Sequence, residues 1–145
     1  RDPEMSRGLG DVYKRQIRYV IRQIFRYCVF LGGACMLLFL FFGKYMGIFL
    51  FHSTTAGTYI RTMSFICPFL YLNTTLTSVL NGLGRSGICL IHSAVSLCIR
   101  VAFVLFAIPI FGIRGYLYGI LFSELILTVL HIIALSALGN LSEKH

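Results

Sequence analysis

Apolar residues fill four long stretches of the chain, residues 27–51, 59–83, 88–111 and 113–138, separated by short polar or glycine-containing breaks. A helix rises about 1.5 Å per residue and a bilayer's hydrocarbon core is about 30 Å thick, so roughly 20 apolar residues make one crossing. The pattern predicts an all-α membrane protein with four transmembrane helices in antiparallel, up-down order. A soluble core of four such helices would leave no amphipathic helix to face water.

Composition agrees. Hydrophobic residues make up 57% of the chain and charged residues 12%, with mean hydropathy +0.82. A soluble domain carries about a quarter charged residues. The five cysteines, Cys28, Cys35, Cys67, Cys89 and Cys98, show no paired spacing and fall within or at the ends of the apolar stretches, as small packing residues do. No clustered metal ligands or nucleophile–base pair is present, so neither an enzyme nor a metal site is expected.

Residues 1–16 are polar, glycine-containing and non-periodic, and Ser6–Gln16 reads as the translated end of a common transposase-based sequencing adapter. We therefore read 1–16 as non-native and set it apart, an ordinary polar tail being the competing reading. Residue 17 would then open in mid-gene, and 17–145 would be the C-terminal part of a longer protein. Without 1–16 the chain keeps nine basic residues and two acids, Glu124 and Glu143, for a net +7.

That charge does not point to nucleic acid. Arg18, Arg22 and Arg26 recur every four residues just before the first span, as in a segment lying along an anionic membrane surface. Basic residues mark the cytoplasmic side. Placing these three inside puts the 52–58 loop outside, the Arg85 loop inside, the 111–114 turn outside and Lys144 inside, so both ends are expected to be cytoplasmic. Arg61 and Arg114 then fall near the outer face, and Lys44 reaches outward along its aliphatic stem.

Gly82-Leu83-Gly84-Arg85-Ser86-Gly87 matches a dinucleotide fingerprint, but a long apolar helix precedes it where a strand is required. It reads instead as a tight turn in which glycines end a helix and Arg85 faces headgroups. Asn73-Thr74-Thr75 and Asn140-Leu141-Ser142 match a glycosylation pattern by chance, one within a span and the other on the cytoplasmic side.

In the second span Thr74, Thr77, Ser78 and Asn81 follow the spacing of one helical face, beside Asn73 and Thr75. In hydrocarbon such a stripe turns toward other helices or toward a wet cavity. Pro68 is positioned to kink this helix. Pro109, Gly112 and Gly115 make a short turn between the third and fourth spans, which must run antiparallel and side by side. Arg100 lies twelve residues before position 112 and Glu124 twelve after, so both sit at about 18 Å depth. Each is costly alone in a membrane, and equal depth predicts an ion pair or two charges facing one cavity. His92 and His131 are weaker candidates for chemistry, since a lone membrane histidine is more often a packing residue.

Three motifs in order, Asn81-Gly82-Leu83-Gly84-Arg85, the following span, and Ile108-Pro109-x-x-Gly112-Ile113-x-Gly115, lie within residues 71–138, and Phe41-Phe42-Gly43-Lys44-Tyr45 lies upstream. Together they resemble the multidrug/oligosaccharidyl-lipid/polysaccharide exporter superfamily, nearest its polysaccharide biosynthesis and stage V sporulation protein B-like members. The resemblance implies a bacterial plasma-membrane transporter of 12–14 helices in two lobes, with 17–145 forming the last four helices of the second. It implies membrane lipid, a lipid-linked saccharide substrate and the missing N-terminal lobe as partners, no nucleic acid and no cofactor. Arg100, Glu124, Asn73, Thr74, Thr77 and Asn81 are then expected as cavity or lobe-packing residues, and Arg61 as an anion contact at the outer mouth. The alternatives are a cation-coupled multidrug exporter, with Glu124 its one intramembrane acid here, and a self-contained four-helix transporter or structural subunit.

Overall fold

The computed structural model describes residues 3–143, without the side chains at 3–7, 9–11 and 141–143; Lys144, assigned above to the cytoplasmic side, lies outside the described residues. All of its regular structure is helical: α1 (Pro3–Phe51), α2 (Thr54–Ser64), α3 (Cys67–Gly82), α4 (Ser86–Phe106), α5 (Ile108–Phe111) and α6 (Ile113–Glu143). Three segments are long and apolar enough to cross a membrane, Val12–Phe51, Ser86–Phe106 and Ile113–Asn140. The pair α2 and α3 makes a fourth only if counted as one span bent by 45°.

Three boundaries differ from the sequence expectation. α1 is continuous from Pro3 and includes the polar segment set apart above. Proline at the first helical position loses no hydrogen bond there, and no later proline interrupts the helix. The second expected span is two helices. α2 stops at Ser64 and α3 starts at Cys67 with Pro68 in its first turn, because proline has no N–H to donate to the Ser64 carbonyl four residues back and its ring crowds that carbonyl. At the break the Ser64 hydroxyl donates to the Arg61 carbonyl at 2.5 Å. The third span ends at Phe106, ahead of Pro109, and a single turn, α5, precedes α6.

The α3–α4 connection is a glycine cap of Schellman type. Gly84 takes φ +75°, its N–H donates to the Asn81 carbonyl at 3.0 Å, and the Arg85 N–H donates to the Leu80 carbonyl at 2.9 Å. The left-handed conformation is costly for residues with a Cβ, so glycine belongs here.

α1 packs on α2 and α3, α3 packs on α6, and α6 packs on α4, which leaves α3 and α6 central. The Ile66, Leu72, Leu76 and Leu80 side chains form the buried face around α3. The helices approach closely through small residues, as membrane helices do. A Cβ on Gly119 would lie 2.6 Å from the Phe103 Cβ, and one on Gly32 would lie 2.5 Å from the Pro68 Cα. Gly47 and Gly57 meet with no room for a side chain. Much of the remaining apolar surface is open, including Phe30, Phe41, Phe49, Leu90 and Ile110.

Candidate functional site, a polar cluster among apolar helices

The α4–α6 register follows from two constraints. The tight turn at Pro109 and Gly112 folds α6 back along α4, and the small positions Gly115, Gly119 and Ser123, four residues apart, present one face to it. Ala107 then meets Gly115 and Phe103 meets Gly119. Continuing along this antiparallel pair brings Arg100 opposite Ser123 and Glu124. Their side chains form a salt bridge between Arg100 Nη2 and Glu124 Oε1, and Arg100 Nε donates to Ser123 Oγ at 2.9 Å. The equal depth inferred from the sequence is therefore realised as a contact.

The partners differ in exposure. The Glu124 side chain is 3% exposed and that of Arg100 is 36%. α3 supplies the carboxylate's other contact, since Asn73 Nδ2 donates to Glu124 Oε2 at 2.7 Å and to the Glu124 backbone carbonyl at 3.0 Å. Thr128, one turn along α6, donates to Asn73 Oδ1 at 2.8 Å and shares the Glu124 carbonyl at 2.9 Å. Both carboxylate oxygens are engaged, which offsets the cost of burying the charge. Arg100 Nη1 takes no part in the cluster.

One turn further along α3 and two along α6, Thr77 Oγ1 lies 3.4 Å from His131 Nε2, and the rings of His131 and His92 meet edge to face with centroids 5.0 Å apart. The Nδ1 atoms of both histidines are buried without a hydrogen-bond partner among the described residues. Thus α3, α4 and α6 are joined by two adjacent polar layers, Asn73/Arg100/Ser123/Glu124/Thr128 and Thr77/His92/His131.

The remaining expected site residues lie elsewhere. Thr74, Ser78 and Asn81 are exposed, and the Thr74 and Ser78 hydroxyls bond back to carbonyls of their own helix, Leu70 and Thr74. The stripe along α3 is thereby divided: Asn73 and Thr77 turn toward α6, whereas Thr74, Ser78 and Asn81 face away from it. Thr75 points to α1, where its hydroxyl meets the Cys28 thiol at 2.9 Å. Arg61 is exposed on α2 with its stem against Gly43. Gly82, Gly84 and Arg85 form the α3–α4 turn, and Pro109, Gly112 and Gly115 the α4–α6 connection.

Ser123 and Thr128 were not singled out from the sequence. The signal for Thr128 is the α6 face Glu124, Thr128 and His131, at i, i+4 and i+7, and that for Ser123 is the small-residue spacing Gly115, Gly119 and Ser123. Among the described residues no group of three or more His, Cys, Asp or Glu side chains could hold a metal ion.

These features define an all-helical chain with three helices of membrane-crossing length and composition, joined internally by buried polar side chains. No protein-family model, curated protein or solved structure matches the chain.

Proposed function

We propose that residues 17–145 form the last four crossings of the second lobe of a two-lobe exporter that moves a lipid-linked oligosaccharide or cell-envelope precursor by alternating access. In this reading α1, the bent α2–α3 pair, α4 and α6 traverse a bacterial plasma membrane in up-down order with both ends cytoplasmic. The motif order at 41–45, 81–85 and 108–115 supports the superfamily. The observation that carries a transport role is the Arg100–Glu124–Asn73 cluster. It places a partly exposed guanidinium among apolar helices, held by a buried carboxylate, as a cavity wall that receives an anionic headgroup requires.

The same geometry weighs against the cation-coupled multidrug exporter, because both Glu124 oxygens already have partners and a coupling cation would have to displace Arg100 or Asn73. The self-contained four-helix subunit is favoured by one observation, that the cluster completes itself within this chain. The uncovered apolar faces suit either lipid or the N-terminal lobe.

Full-length protein reconstituted in vesicles, with a fluorescent lipid-linked saccharide whose exposure is read by a membrane-impermeant quencher, tests the proposal. Translocation that is lost in Arg100→Leu is expected. Failure of the intact protein to move the lipid, or movement of cationic drugs driven by an ion gradient, overturns it.

A further inference from the structure

A cavity of about 540 Å³ opens where the N-terminal part of α1, the α3–α4 turn and the end of α6 converge, away from the polar cluster. Arg18 and Arg22, one turn apart on α1, and Arg85 of the turn place three guanidinium groups on its walls. Ile21, Leu83 and Leu135 make its floor apolar, and no carboxylate lines it among the described residues. Arg22 and Arg85 have no side-chain hydrogen-bond or ion-pair partner among the described residues.

Holding Arg22 and Arg85 beside apolar side chains is unfavourable unless an anion joins them, and the mixed lining suits a molecule with a charged head and an apolar tail. We propose that this cavity is a specific site for the phosphate headgroup of an anionic membrane lipid. Arg22 and Arg85 hold the phosphate from two separate elements, and the first part of the acyl chains lies over Ile21, Leu83 and Leu135. The contribution of α1 and of the turn at once makes the lipid a tie between chain segments far apart in sequence, unlike a diffuse basic surface. The inference rests on the chain being embedded in a membrane and is independent of what the protein transports.

The test is binding of tail-labelled phosphatidylglycerol to the full chain in phosphatidylcholine nanodiscs, read by fluorescence transfer. A juxtamembrane basic residue contributes about 1 kcal/mol near an anionic surface, about fivefold in affinity. Arg22→Gln and Arg85→Gln are each expected to weaken binding about fivefold and the pair about 25-fold, whereas Arg26→Gln, which removes the same charge from α1 outside the cavity, leaves it unchanged. Circular-dichroism melts of the variants verify that the fold is retained. Equal losses in all three variants would show a non-specific basic surface and overturn the site. Displacement of the lipid by millimolar inorganic phosphate as readily as by unlabelled lipid would identify a free-anion site and overturn the assignment to lipid. Lipid binding that survives in a protein without flippase activity would leave this inference standing while removing the transport reading.

Discussion

Arg100 and Glu124 are unequal partners, and their inequality sets the cost of removing each. In Arg100→Leu the carboxylate stays where it was, 3% exposed between α3, α4 and α6, with Asn73 its one remaining side-chain partner. Stranding a charge by removing one member of a buried pair costs about 3–5 kcal/mol, and a carboxylate at the centre of a membrane helix costs about 3 kcal/mol. Because Asn73 remains, about 3 kcal/mol is expected. Glu124→Leu leaves Arg100 instead, whose side chain is 36% exposed and can turn its head outward. Asn73 keeps the backbone carbonyl of residue 124 as an acceptor, so the loss is close to one hydrogen bond, about 1 kcal/mol. The double variant Arg100→Leu/Glu124→Leu strands no charge and should resemble Glu124→Leu. The coupling between the sites is then about 3 kcal/mol. Reversible unfolding in mixed micelles of rising dodecyl sulfate content measures all four proteins. If Glu124→Leu proves as damaging as Arg100→Leu, or if the two single losses simply add in the double variant, the reading of a buried carboxylate held by a movable cation is wrong.

Gly119→Leu should separate α4 from α6, since even a Cβ would lie 2.6 Å from that of Phe103; a loss of about 2 kcal/mol is expected in the same unfolding assay. Asn73→Leu removes the amide that joins Glu124 to Thr128 and should cost about 2 kcal/mol, whereas Asn81→Leu, at an exposed position, should cost little. In a background without native cysteines, Arg85→Cys and His52→Cys should react with an impermeant thiol reagent from opposite sides of the membrane, and reaction from one side would refute the up-down arrangement. Gly84→Ala should cost about 1 kcal/mol through its φ of +75°, read as a lowered melting temperature.

Long apolar runs require helices wherever backbone groups have no water to bond, so helix type and approximate number were legible in the chain itself. Pro68, Gly84, Pro109 and Gly112 marked the breaks because their backbone chemistry acts locally. Equal spacing of Arg100 and Glu124 from a tight turn made their meeting a matter of arithmetic. What local rules leave open is the rotation of each helix about its axis. A polar stripe states that one side of a helix differs from another without saying which neighbour it meets, and only packing against α6 chose Asn73 and Thr77 over Thr74, Ser78 and Asn81. Thr128 likewise gained its role when α3 supplied Asn73 from 55 positions away in sequence, and Ser123 when α4 brought Arg100 against it. Contacts over that separation depend on which surfaces fit together, and that fit is decided by the shapes of many side chains at once.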